Sequence, residues 1–289
     1  MAVGKDTLFE RFLAPIFRNL VDREAIDRYY HSRDWEEASD QFRNPQVEYP
    51  DYYRSQNFHG IQGGYLNLSA ALSYDPIVQY VLPPNESMVR SALIERISTQ
   101  PRRILDIGCG TGSTTLRLKQ AFPQAEVVGL DLSPYLLVVA DDKARAANLE
   151  ISFRHGLAEA TGLPAHSFDL ITATLLFHEL PPTIARDVLR ECFRLLRAGG
   201  EVLIQDGHQP VLRSTPWLMQ VFEEPYIQAF AQGSLDADLC AAGFGAVQTE
   251  PIWWVHQITR GVKPITSERR VQSIEFSSHP ATGEAWAMG

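Results

Sequence analysis

The chain has 289 residues, of which 45% are hydrophobic, and this is enough to bury the core of one large domain or of a domain with a smaller cap. Its formal net charge at pH 7 is -9 and it contains no basic run, so we expect neither a nucleic-acid groove nor electrostatic docking on an anionic membrane. The N-terminus lacks the features of a secretory signal, and no stretch approaches the roughly 20 apolar residues of a membrane span, which favours a cytoplasmic protein. Three widely spaced cysteines suggest neither a disulfide framework nor a metal site.

Residues 1–100 are expected to form a mostly helical N-terminal cap, with helix breaks at several prolines, including Pro76. Eight of the ten tyrosines fall in the first eighty residues. Residues 51–76 combine such rings with amides, a histidine and two adjacent glycines, so one interpretation is a lid in which Tyr65 and His59 line a pocket beside a glycine hinge. The alternative is that the rings simply pack the cap onto the main domain.

Between residues 101 and 262, short apolar runs alternate with helical patterns, which predicts a Rossmann-like, doubly wound α/β sheet of seven mostly parallel strands. The predicted strands cover residues 102–109, 125–132, 151–156, 168–177 and 201–206, and a final hairpin covers 246–261. Gly199 and Gly200 are expected to cap the helix before the fifth strand. A helical insert is predicted at about 207–235, and a loosely held polar tail at 263–289.

The first of these strands runs directly into a turn with glycines at positions 108, 110 and 112, and a helical pattern follows. Glycines at such a turn let a ligand lie against bare backbone, next to the unpaired N–H groups of the following helix. The fingerprint that binds dinucleotides has its third glycine where this chain has Ser113. Asp106 precedes the turn, and a carboxylate there would repel a pyrophosphate but suits an ammonium group.

Asp131 ends the second predicted strand, about 20 residues beyond the turn, where a carboxylate can accept both hydroxyls of a ribose and would reject a 2′-phosphate. A ligand with a positive end, a ribose and no phosphate is S-adenosylmethionine. Asp106 and Asp131 could instead cap the helices that follow their loops.

Four further segments follow the turn in order: GLDLS, HGLAEATGLPAHSFDLI, FHELP and RECFRLLRAGGEVLIQD. Together with the D-x-G-x-G-x-G turn they resemble the class I S-adenosylmethionine-dependent methyltransferases. The resemblance covers roughly residues 101–207 and, more weakly, 235–260.

This resemblance implies a role for each matching position. The acid and the first two glycines of the turn would hold the methionine portion, Asp131 the ribose, and Leu132 would pack on the adenine. Ala158 would offer its backbone N–H to the ring, near Glu159. Many relatives carry an aspartate where this chain has Leu157, which leaves adenine recognition to Glu159 or to the backbone alone. The expected cofactor-site residues are Asp106, Gly108, Cys109 (a small filler rather than a nucleophile), Gly110, Gly112, Asp131, Leu132, Ala158, Glu159 and Leu175, with Tyr65 from the cap.

Methyl transfer from a sulfonium needs an acceptor held in line with the S–CH₃ bond, and a base only if the acceptor must lose a proton. The candidates are His178 and His59, and then Glu179 and His208; His178 could instead shape its loop. The aromatic cap and the insert favour a small, largely apolar or aromatic acceptor, methylated on oxygen or carbon. The alternatives are a regulatory module that binds S-adenosylmethionine without catalysis and a nicotinamide-dependent oxidoreductase.

Overall fold

A computed structural model describes residues 22–59, 61–81 and 84–265 of the chain. The expectations for the first 21 residues, and those for the tail beyond residue 265, lie outside the described residues. The N-terminal part contains α1 (Arg23–Tyr30), α2 (Trp35–Asp40), α3 (Asp51–Arg54), a two-residue hairpin (Asn57–Phe58 with Ile61–Gln62), α4 (Leu68–Val81) and α5 (Glu86–Glu95).

A seven-stranded sheet follows, in which helices separate the strands up to the fifth except that the third strand passes to the fourth through a loop without a helix. Its strands are β1 (Arg103–Ile107), β2 (Glu126–Asp131), β3 (Ser152–His155), β4 (Phe168–Thr174), β5 (Leu196–Gly207), β6 (Gly245–Ile252) and β7 (His256–Val262). The helices between them are α6 (Ser113–Ala121), α7 (Pro134–Ala146), α8 (Pro182–Leu195), α9 (Gln209–Ser214), α10 (Pro216–Phe222), α11 (Ile227–Gln232) and α12 (Leu235–Ala241).

The strand order across the sheet is β3-β2-β1-β4-β5-β7-β6, and β7 runs in the direction opposite to the other six strands. The chain therefore winds outward from β1 in both directions, and the loops after β1 and β4 leave the sheet to opposite sides. In open α/β sheets, ligands bind at the carboxyl ends of the strands at such a switch point. The predicted doubly wound, seven-stranded fold is confirmed.

Two sequence expectations about helix ends are wrong. Helix α4 continues through Pro76, because the buried side chains of Ala70, Ala71 and Leu72 hold the preceding turn against the core and tertiary packing outweighs the local cost of proline. Helix α8 ends at Leu195, before the glycine pair, which lies inside β5.

The described N-terminal elements pack on α7 rather than standing apart from the sheet. An aromatic cluster, formed by Trp35, Tyr53, Phe58 and Tyr65, is buried together with Leu136, Val138 and Val139 of that helix. The backbone carbonyl of Tyr65 accepts a hydrogen bond of 2.6 Å from the hydroxyl of Ser133, which begins α7. Tyrosines of the N-terminal part are thereby carried to the carboxyl edge of the sheet. Within the described residues, no helix is long and apolar enough to cross a membrane.

Candidate active site

A cavity opens at the carboxyl ends of β1, β2 and β4, under the N-terminal part. It covers about 730 Å³ of space not filled by protein atoms, with the solvent in its open mouth included. Its wall includes Gly108 and Gly110 of the turn, Asp131, the loop after β3 and the residues that leave β4.

The turn presents bare backbone to this cavity. Gly108 and Gly110 have φ angles of 64° and 54°, in the left-handed region that favours glycine. A Cβ on Gly110 would meet no atom within 4 Å and would project into open space, whereas one on Gly108 would lie 2.9 Å from Cδ1 of Leu176. The absence of a side chain at position 110 therefore keeps open a part of the cavity that the protein itself does not fill.

Asp131 joins the loops that follow β1 and β2. One carboxylate oxygen accepts a hydrogen bond of 2.7 Å from the backbone N–H of Gly110, and the other accepts one of 2.9 Å from Ser133. Burial raises the pKa of Asp131 to about 6, although these backbone hydrogen bonds oppose the shift. The carboxylate lies on the cavity wall and is ionised at neutral pH.

Asp106 lies elsewhere. Its carboxylate is buried behind the turn, where it accepts hydrogen bonds from the hydroxyls of Thr115 (2.6 Å) and Thr172 (2.7 Å), and it does not line the cavity. Burial raises its pKa above the ordinary value, and the two hydroxyl groups oppose the shift. The structure thus gives Asp106 a place in supporting the turn from behind, and its action on the methionine portion, directly or through water, stays a prediction.

Cys109 and Gly112 also face away from the cavity wall. Burial raises the pKa of the Cys109 thiol far above its usual range, so the thiol stays protonated. A Cβ on Gly112 would lie 3.0 Å from Cβ of Ala140 in α7, so this glycine allows α6 and α7 to approach each other.

The loop after β3 forms another side of the cavity, with Leu157, Ala158 and Glu159 on its wall next to Leu132. The hydroxyl of Tyr52 donates a hydrogen bond of 2.8 Å to Oε1 of Glu159. The other oxygen of Glu159 is buried and has no hydrogen-bond partner among the described residues. A buried acceptor without a donor is costly, and a ligand amino group would satisfy it.

Aromatic rings of the N-terminal part complete the wall. Tyr52, Tyr53, Tyr65 and Tyr74 all line the cavity. Tyr65 packs edge-on against Tyr74, with 5.5 Å between ring centroids, and burial raises the pKa of Tyr74 to about 12, which keeps it neutral. These rings pack the N-terminal part against α7 and also form the cavity wall, whereas His59 does not line the cavity. A lid that moves on a glycine hinge stays a prediction.

Beside the cavity, His59, His178, Glu179 and Glu224 come together, with one ligand-type atom of each within 4.8 Å of the others. We call these four residues the His–Glu cluster. Glu179 belongs to it and also lines the cavity. Leu175, which has a φ of 58° and lines the cavity as well, turns the chain out of β4 toward this group.

Neighbouring charged groups shift the pKa values of His178 and Glu179 in the cluster. Nδ1 of His178 lies 2.7 Å from Oδ1 of Asp206, and although burial acts in the opposite direction, this carboxylate raises the pKa of His178 to about 10. Burial, followed by the nearby carboxylate of Glu224, raises the pKa of Glu179 well above its ordinary value. His208 precedes α9 and lies neither in the cluster nor on the cavity wall.

Sequence reasoning missed three residues at this site: Asp206, Glu224 and Tyr52. Asp206 ends a buried strand, so the rule that the carboxyl ends of parallel strands share one edge was a usable signal. Glu224 follows α10 inside the insert and Tyr52 lies in a helix of four residues, and neither carries a local pattern. Of the insert aromatics, Trp217 is exposed and the side chain of Phe222 lies outside the described residues.

Comparisons with known proteins agree with this geometry. A family model described as a methyltransferase domain matches residues 104–200. A demethylmenaquinone methyltransferase of Deinococcus radiodurans is 36% identical over 121 residues, which are 42% of this chain and 49% of that protein. One of Thermus thermophilus is 31% identical over 151 residues, which are 51% of this chain and 68% of that protein. The chain thus spans about half the length of the first relative and two thirds of the second.

Solved structures show the same fold at low sequence identity. Phosphoethanolamine N-methyltransferase 2 of Haemonchus contortus, in complex with S-adenosylmethionine, has a TM-score of 0.54 at 17% identity, over 69% of this chain and 58% of that chain. The [4+2]-cyclase SpnF has a TM-score of 0.51 at 19% identity, over 62% of this chain and 81% of that chain. From its sheet order, its glycine turn and its relatives, the chain belongs to the class I S-adenosylmethionine-dependent methyltransferases.

Proposed function

We propose that the chain transfers a methyl group from S-adenosylmethionine to a small, largely apolar or aromatic acceptor. One observation carries the proposal: a single cavity joins the bare backbone of the glycine turn and Asp131 to a wall of tyrosine rings. When bound, S-adenosylmethionine supplies an electrophilic methyl group on its sulfonium.

The residues present fit this cofactor. The space beside Gly110 can take the methionine portion, and Asp131 offers an ionised carboxylate at the end of β2 for the ribose hydroxyls. The acceptor oxygen of Glu159 that has no hydrogen-bond partner among the described residues suits the amino group of adenine, and it would stand in for the aspartate that relatives carry two residues earlier, at the position of Leu157.

Tyrosine rings with Leu175 and Leu176 form the remaining wall, which would hold the acceptor and exclude water. Positioning alone supplies much of the rate of a direct displacement, since well-oriented reactants gain up to about 7–11 kcal/mol. The cavity chemistry favours a planar, apolar molecule with few polar groups. The relatives are named for demethylmenaquinone, and we propose a quinol or phenol as the acceptor class, methylated on oxygen or on ring carbon.

Calorimetry with S-adenosylmethionine, S-adenosylhomocysteine and NAD tests the cofactor. We expect the first two to bind and NAD not to; binding of NAD alone would refute the proposal. A screen of phenols, quinols and fatty acids with a labelled methyl donor then tests the acceptor. Tight cofactor binding without transfer to any acceptor would favour the regulatory module instead.

A further inference from the structure

We propose that the His–Glu cluster is a binding site for a divalent transition-metal ion of the Zn²⁺ type, at the wall that the cavity shares with Glu179. The four residues come from the hairpin loop of the N-terminal part, the turn after β4 and the segment after α10. Two imidazoles and two carboxylates that converge from three distant segments make a mixed nitrogen and oxygen ligand set. Zinc, unlike Mg²⁺ or Ca²⁺, binds such sets readily.

A carboxylate orients the imidazole ring of His178, as is usual for histidines that bind a metal ion. Its Nδ1 is paired with Asp206 at 2.7 Å, which leaves Nε2 as the nitrogen available to an ion. Asp206 is itself fixed, because its carboxylate accepts hydrogen bonds from the backbone N–H groups of Phe177 (2.8 Å) and Gly207 (2.6 Å), and it is fully buried. A carboxylate that orients the far nitrogen of a ligating histidine is the usual outer partner of a zinc site.

Glu224 supplies a second, independent observation. Its side chain is 0% exposed, and Oε1 lies 2.9 Å from Nε2 of His59. Its other oxygen, Oε2, has no hydrogen-bond partner among the described residues. A fully buried carboxylate beside a second buried carboxylate, Glu179, is costly unless a cation compensates both. One doubly charged metal ion would compensate the charges of both carboxylates.

The geometry allows an ion after a small contraction. Ligand atoms around a four-coordinate zinc ion lie about 3.4 Å apart, so the 4.8 Å spread of the cluster must shrink by about 1 Å or more. His59 can supply this movement, because its side chain is 37% exposed and lies on a loop rather than on the sheet. His178 is held by Asp206 near the end of β5 and would define the position of the ion.

Metal titration of the full chain, purified without a histidine tag and stripped by chelator, tests the site without reference to methyl transfer. Zn²⁺ binding is followed by equilibrium dialysis, and Co²⁺ is followed by its visible absorption, which reports coordination geometry. We expect one ion per chain and a four-coordinate Co²⁺ spectrum. Cys240, the exposed cysteine, is replaced by serine in every protein so that it contributes no thiolate.

Glu224→Gln removes one ligand oxygen and keeps the side-chain volume, so we expect Zn²⁺ affinity to fall by more than about 100-fold. Asp206→Asn, which acts through His178, should cost about 10–100-fold. Glu223→Gln is the matched control, because Glu223 is the neighbour of Glu224 and lies outside the cluster. The Zn²⁺ affinity of this variant should equal that of the parent protein.

Calorimetry with S-adenosylmethionine accompanies each variant, so a loss of fold is separated from a loss of metal. Equal Zn²⁺ affinity in the Glu223→Gln and Glu224→Gln proteins would overturn the proposal, as would a Co²⁺ spectrum that persists in the latter. Either result would leave the methyltransferase assignment untouched, because cofactor binding is measured separately.

Discussion

At the scale of single residues, the site depends on side chains that are absent as much as on those that are present. Gly110 could be singled out from the sequence because three alternating glycines after an apolar strand have few other uses. Asp106 was easy to select and yet lies behind the turn, since its two hydroxyl partners, Thr115 and Thr172, come from α6 and β4. No local pattern in a sequence shows which side of a turn an acid will face.

Gly110→Ala should weaken S-adenosylmethionine binding by about tenfold or more, equivalent to about 1.4 kcal/mol, because the added methyl group enters the open space that the ligand needs. Alanine at a positive φ also costs about 1 kcal/mol of folding free energy. Gly162→Ala is the matched control: its φ is 68° and its Cβ also meets nothing within 4 Å, but Gly162 does not line the cavity. Calorimetry that finds the same loss of affinity in both variants would contradict the role of the turn.

Cofactor affinity should depend on the protonation of Asp131. Its pKa is raised by burial to about 6, and Asp106 is the charged neighbour that adds to the shift. Only the ionised carboxylate accepts both ribose hydroxyls, so affinity should be constant above about pH 7 and fall about tenfold by pH 5, where about a tenth of the group is ionised. Asp131→Asn cannot titrate, and its weaker binding should stay flat over this range. Parallel pH profiles of the two proteins would show that another group is responsible.

At the scale of elements, the short apolar runs predicted the sheet well, because β1, β2 and β4 are buried almost throughout and are bounded by turn residues. Gly199 misled the prediction. A glycine after a helix usually ends it, but here Leu196 already pairs with Phe168 and Gly199 donates its N–H to the carbonyl of Lys263. The His–Glu cluster could not be predicted, since Glu224 and His59 meet only through the packing of the insert on the N-terminal part.

Helix α4 is fastened to the glycine turn by Asp75. Its carboxylate accepts hydrogen bonds from the hydroxyl of Thr111 (2.5 Å) and from Nζ of Lys143 (2.7 Å). Asp75→Asn should lower the free energy of unfolding by about 1 kcal/mol and weaken cofactor binding, because the turn loses one of its supports. Asp51→Asn, which breaks an exposed pair with Arg54, should change neither. Urea titration and calorimetry on both variants check this expectation.

At the scale of the whole molecule, the described N-terminal part and helix α7 share one buried aromatic cluster. We therefore expect thermal unfolding to be a single transition, with the near-ultraviolet aromatic signal and the far-ultraviolet backbone signal changing together. An aromatic transition that precedes the backbone transition would show that the N-terminal part opens separately.

Tyr52 has one further consequence, for the rate of turnover. Its hydroxyl donates a hydrogen bond to Glu159, and its carbonyl accepts a hydrogen bond of 2.7 Å from the hydroxyl of Tyr226. Tyr52 therefore connects the N-terminal part to the loop after β3 and to the insert. We expect the nucleoside product to leave only after these contacts open, so its release rather than the displacement itself would limit turnover. Tyr226→Phe removes the hydrogen bond to the carbonyl of Tyr52, so we expect faster product exchange in stopped-flow measurements.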